Sequence, residues 1–98
     1  MSFTKGKVDK IWDKGTKVSG NEGSKWRKDQ CGAWIYRTSY GKQSDYGWEV
    51  DHIKPKSKAG TEDISNLRPL HWENNRSKAD GRLGCVVTSS GSKNVKKI

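Results

Sequence analysis

A chain of 98 residues and 11.0 kDa can hide only about two-thirds of its unfolded surface when compact, which excludes a second domain. Apolar residues make up 30% and charged ones 32%, a balance near that of disordered chains, but five Trp, three Tyr and one Phe can each bury roughly 150–250 Å² and supply a small core. The net charge of +9 divides into +5 over residues 1–28, −1 over 29–75 and +5 over 76–98, which makes a polyanion, nucleic acid above all, the first partner to consider beside a merely lysine-rich solvated surface.

The opening MSFTKGKVDK lacks the apolar stretch of a signal peptide, and no run reaches the ~20 apolar residues of a membrane span. The expectation is a soluble, cytoplasmic protein with no membrane partner. Both ends are rich in Gly, Ser and Lys and are expected to fray over about 1–7 and 85–98. Val8, Ile11 and Trp12 form an apolar knot, and a glycine-spotted segment from Gly15 to Ser24 reads as an irregular wrapping loop. Cys31 and Cys85 lie far apart and form no CxxC pair, which excludes a zinc knuckle and leaves a disulfide only possible; they are read as reduced. Ala33–Tyr40 is aromatic and β-branched and stops at Gly41, a strand signal. A second strand is expected over Tyr46–Ile53, with Trp48 and Val50 on one face and Pro55 as its stop. Lys54–Ser65 is a polar loop in which Thr61 caps a short turn through Glu62, Asp63 and Ile64. Asn66–His71 returns as a strand confined to an edge or bulge by Pro69. Trp72–Asp80 holds helix formers and ends at Gly81. The order strand, loop, strand, helix gives a small single α+β domain.

Asp51 and His52 are adjacent, and neighbours on a regular strand point to opposite faces. For the two to serve one site, the strand must end or bulge at this pair. Asn66 lies fourteen residues beyond His52, at the return of the loop, and Asn75 nine further on, in the short helix.

GWEVDHIKPKSKAGTEDISNLRPLHWENNRSKAD, residues 47–80, resembles the HNH, or ββα-metal, nuclease motif, with all three signature positions at the usual spacing. The segment from Trp26 onward is similar to small stand-alone HNH proteins. The resemblance implies an α+β domain whose two strands and one helix surround a single metal, with an additional strand segment before them, and metal-dependent hydrolysis of DNA phosphodiesters with weak sequence preference. Two departures matter. Where many relatives carry cysteines for a structural zinc, this chain has His71 and Asn74, so no structural zinc is implied. Asn75 stands where histidine is usual.

Carried onto these positions, the resemblance makes His52 the general base, since a neutral imidazole suits proton removal from water near pH 7. Asp51 and Asn75 become oxygen ligands of a divalent cation, and an oxygen set favours Mg²⁺ or Mn²⁺ over Zn²⁺. Asn66 is expected to tie the loop ends and orient His52 without touching metal. Lys54, Lys56, Arg76 and Lys78 are candidate DNA contacts. So is His71, which as the neighbour of Trp72 could equally be a packed histidine. Asn74 competes with Asn75 for the ligand role. The alternatives are a nucleic-acid-binding module with an inactive site, or a packaging-associated module that works only with a protein partner.

Overall fold

The computed structural model describes residues 3–78 and 82–97. Thr4 accepts a hydrogen bond from the Lys7 amide and so caps α1, Lys5–Trp12, whose Val8, Ile11 and Trp12 lie at i, i+3 and i+4 and form one buried face. The apolar knot is thus a helix, and the frayed start expected over residues 3–7 is ordered by the cap and by Phe3 packing on the core. Residues 1–2 lie outside the described residues. Ile35, Trp48 and Leu67 complete the core with the α1 face. The Trp48 ring sits 5.2 Å from Trp12 and 4.8 Å from Tyr40.

Among the described residues the strands form three antiparallel pairs: β1 (Trp26–Lys28) with β2 (Trp34–Tyr36), β3 (Trp48–His52) with β4 (Leu67–His71), and β5 (Val87–Ser90) with β6 (Lys93–Lys96). The wrapping loop after α1 is clasped by the buried Arg27, which donates to the carbonyls of Asp13, Gly15 and Gly23. The strand expected over Ala33–Tyr40 is shorter than its composition suggests. Its partner β1 has only three residues, so the chain turns into a 3-10 helix at Arg37–Ser39, and Arg37 reaches across to Asp9 of α1.

β3 pairs with β4 in unbroken register, from Trp48 opposite His71 to His52 opposite Leu67. Of the end or bulge expected at Asp51–His52, the structure has the end: the ladder runs through both residues without a bulge, and β3 stops at His52. Pro69 sits opposite Val50 in this ladder; in a two-stranded sheet every strand has an open edge, so its missing N–H is tolerated. The chain passes directly into α2, Trp72–Arg76. The helix is shorter than the 72–80 expected, because the Ser77 hydroxyl bonds back to the Asn74 carbonyl and Lys78 leaves the helical path toward β3. Ala79, Asp80 and the stop at Gly81 lie outside the described residues.

The C-terminal segment departs most from expectation. Residues 85–97 are not a frayed end. The fully buried Asn74 takes both the N–H and the carbonyl of Val87, and Asn94 does the same for Trp34 while also donating to the Asp45 carbonyl. Cys31 and Cys85, read as reduced, form a disulfide with Cα atoms 5.3 Å apart. Side-chain amides, one of them buried, and a covalent link do here what apolar side chains do elsewhere, so low hydrophobicity did not mean disorder. The buried Asp29 joins these parts. One carboxylate oxygen accepts from the amides of Cys31 and Ala33, the other from the His71 amide and Asn74 Nδ2.

Candidate active site

Where β3 gives way to the loop 53–66, a cavity of about 380 Å³ opens, lined by Val50, Asp51, His52, Pro55, Lys56, Ser57, Asn75 and Lys78. Strand alternation turns the Asp51 carboxylate toward α2 and the His52 ring toward the loop, and both border the cavity because it straddles the strand end. No bulge is needed to bring them together.

The loop over the cavity is held by Asn66. Its Oδ1 accepts from the Lys54 amide at 2.8 Å, while its Nδ2 donates to the carbonyls of Lys54 (3.1 Å) and Thr61 (2.8 Å). The Asn66 carbonyl also accepts from the Ile53 amide at the strand end. Asn66 therefore makes the loop-tying contacts expected of it and lies beneath the site rather than in it. The loop closes so tightly at Gly60 that a Cβ there would stand 1.7 Å from the Lys54 carbonyl oxygen, a position only glycine can fill. This closure brings Glu62 to the ring of His52, with Nε2 to Oε2 at 3.0 Å. The other oxygen of Glu62 pairs with Lys56 at 3.0 Å. The Lys56 ammonium, aided by the His52 hydrogen bond and opposed by partial burial, holds the Glu62 carboxyl below its ordinary range. It is ionised at neutral pH.

Asp51 is 3% exposed and is held by two cations. Arg68, opposite it on β4, donates to Oδ2 at 2.7 Å, and Lys78 donates to Oδ1 at 2.6 Å and to the His52 carbonyl at 2.8 Å. Two cations on a single carboxylate offset most of its desolvation cost. Asn75 spends its Nδ2 on Glu49 Oε1 at 2.9 Å, so its amide oxygen is the end turned away from that carboxylate. Arg76 pairs with the other oxygen of Glu49 at 3.2 Å and lies outside the cavity lining. Lys54 is exposed at the start of the loop.

His71 does not join this group. It is 1% exposed, its Nδ1 accepts from the Glu73 amide as the cap of α2, and its Nε2 meets the Asp45 carbonyl at 2.9 Å. Since a carbonyl can only accept, the proton sits on Nε2, and both nitrogens are committed within the fold. The expectation that His71 contacts DNA is therefore corrected: it is the packed histidine. Asn74 is likewise excluded as a rival to Asn75 by its complete burial and its bonds to Asp29 and Val87.

Glu62, Arg68 and Glu49 were missed as site residues by reading the sequence. Glu62 was read as part of a capped turn, and its ten-residue separation from His52 carries no periodic signal. Among the described residues no group of three or more His, Cys, Asp or Glu could hold a metal ion. A site built on one carboxylate and one amide oxygen is not of that kind. A family model described as HNH endonuclease matches residues 37–81, a span that takes in β3, β4, α2 and the loop around the cavity. No curated protein and no solved structure matches the chain.

Proposed function

We propose, from a chain that carries an HNH endonuclease domain over residues 37–81, that the protein hydrolyses DNA phosphodiester bonds in a metal-dependent reaction centred on the cavity at the end of β3. The observation that carries this reading is the convergence of Asp51, His52, Asn75 and Lys78 on one cavity from two parts of the chain, the end of β3 and the end of α2.

The cavity fits a small divalent cation on its own chemistry. The Lys78 ammonium lies against two oxygens, Asp51 Oδ1 and the His52 carbonyl, with its side chain 9% exposed, which supports reading this corner as one that accepts positive charge. Asp51 and Asn75 would hold the ion, as hard oxygen donors suited to Mg²⁺ or Mn²⁺. When bound, such an ion acts as a Lewis acid on the scissile phosphate and relieves charge on the leaving oxygen.

The residues of the chain do the rest. His52 takes the proton of the attacking water, a step that asks for a neutral imidazole near pH 7. Asn66 keeps the loop closed and so keeps the ring where it is. Lys56 lines the cavity, with Lys54 beside it in the loop and Arg76 outside the lining on α2, and these cations would hold DNA phosphates by charge rather than by reading bases, which implies weak sequence preference. The two strands and α2 would thus serve as a ββα-metal unit.

One observation favours a second reading, a DNA-binding module whose site is idle: Asp51 is already neutralised by Lys78 and Arg68. A nicking assay on supercoiled plasmid with Mg²⁺, with EDTA and with His52→Ala decides between the two. The expected outcome is nicking that requires the metal and is lost in the variant. DNA retardation without metal-dependent nicking establishes the binding module instead.

A further inference from the structure

We infer that Glu62 is a positioning residue for His52: by accepting a hydrogen bond from Nε2 it places the ring proton on that nitrogen and leaves Nδ1 as the basic atom. The inference deepens the proposed function and rests on its reading of His52.

The geometry supplies each part. A carboxylate has no proton to give, so in the neutral imidazole the 3.0 Å contact to Oε2 requires the proton on Nε2. Glu62 is itself fixed from two further directions. Lys56 Nζ pairs with its other oxygen at 3.0 Å, and Lys7 of α1 donates to its main-chain carbonyl. The residue is thus anchored to the first helix through its backbone and to the loop through its side chain, and it reaches His52 because Gly60 lets the chain double back. The ring is only 20% exposed, against 32% for Glu62, so its orientation is set by this contact and by Phe3, whose ring centroid lies 6.5 Å away. An oriented, singly protonated imidazole presents its lone pair in one direction, which is what a general base needs at the moment of attack.

The test compares Glu62→Ala and Glu62→Gln with the wild type on two readouts. The ring ¹⁵N spectrum of His52, taken without metal or DNA, reports the tautomer. Metal-supported plasmid nicking reports kcat and KM. Glu62→Ala is expected to turn a single Nε2–H form into a mixture and to lower kcat about 10- to 100-fold, the usual weight of a residue that orients a functional one, with KM unchanged. Glu62→Gln, whose amide oxygen still accepts, is expected to restore the Nε2–H form and most of kcat. Loop closure depends on Asn66 and Gly60 rather than on this side chain, so both variants should fold. A wild-type tautomer or wild-type kcat in Glu62→Ala overturns the inference, as does Glu62→Gln behaving like the alanine variant. If the wild type itself does not nick, the nuclease reading falls, whereas the ring spectrum still tests the Glu62 contact.

Discussion

At the scale of single residues, the site is governed by how charge is shared around Asp51. Its carboxylate lies within 2.7 Å of both Arg68 Nε and Lys78 Nζ, and the two cations differ in consequence. Arg68 is fixed by the ladder register opposite Asp51 and reaches onward to Gln30. Lys78 lies beyond α2 on a long, rotatable stem. Were a divalent cation to bind Asp51 Oδ1, Lys78 is the partner that must withdraw, and its withdrawal costs the pair it now makes. Lys78→Met is therefore expected to bind Mg²⁺ more tightly than the wild type, on the order of tenfold for a loss of about 1.4 kcal/mol in competing interaction. Calorimetry without DNA checks this; unchanged or weakened affinity means that Lys78 does not compete for the metal. The reading of Asp51, His52 and Asn75 drew on residue type and spacing, which survive in a linear string. Nothing in that string marks Arg68 or Glu62, because their partners are 17 and 10 residues away and meet them only through a ladder register and a loop closure.

At the scale of elements, the C-terminal hairpin is bound into the domain through side-chain amides and a covalent bond. Closing a loop between residues 54 apart removes chain entropy from the unfolded state worth about 4 kcal/mol in the simple loop model. Reducing the disulfide is expected to lower unfolding stability by up to that amount, measured as a shift of the urea midpoint with and without reductant and reproduced by Cys31→Ser. An unshifted midpoint would mean that Asn74, Asn94 and Asp29 hold the hairpin unaided. The same contacts change what a truncation can show. Removing residues after Ser92 deletes β6 together with Asn94, which bonds Trp34 and Asp45, so the loss would unsettle β2 and the turn before β3 rather than merely subtract charge. The elements before the hairpin were more legible: β3, β4 and α2 lie inside the segments read from aromatic, β-branched and helix-forming residues, with errors only at their ends.

At the scale of the whole molecule, the +9 charge is the feature that bears on DNA. Lys93 and Lys97 are exposed, whereas Lys96 pairs with Glu73 at 2.9 Å and Arg76 with Glu49, so the basic ends are less available than a count of residues implies. Point substitutions serve better than deletion. The double variant Lys93→Ala, Lys97→Ala is expected to weaken binding about equally for all DNA sequences and to lower the slope of log affinity against log salt by up to about 0.9 for each lysine that contacts phosphate. A slope equal to that of the wild type would assign the affinity to the cations around the cavity. Among the described residues no helix is long and apolar enough to cross a membrane.

By itself the sequence determined that the chain is one small α+β domain built on tryptophans, and that an Asp-His pair, two asparagines and a short helix stand at the spacing of the HNH motif. These follow from composition, period and local turn chemistry, which act over a few residues. The tertiary structure alone decided which asparagine is buried, that His71 is spent on capping, that the C-terminal segment is a hairpin tied by a disulfide, and that Glu62 and Lys78 meet His52 and Asp51. Apart from the local cap bond between His71 and Glu73, each of these depends on a contact between residues 10 to 60 apart. Such contacts form only once the loops have closed, and loop closure leaves little trace in the order of residues.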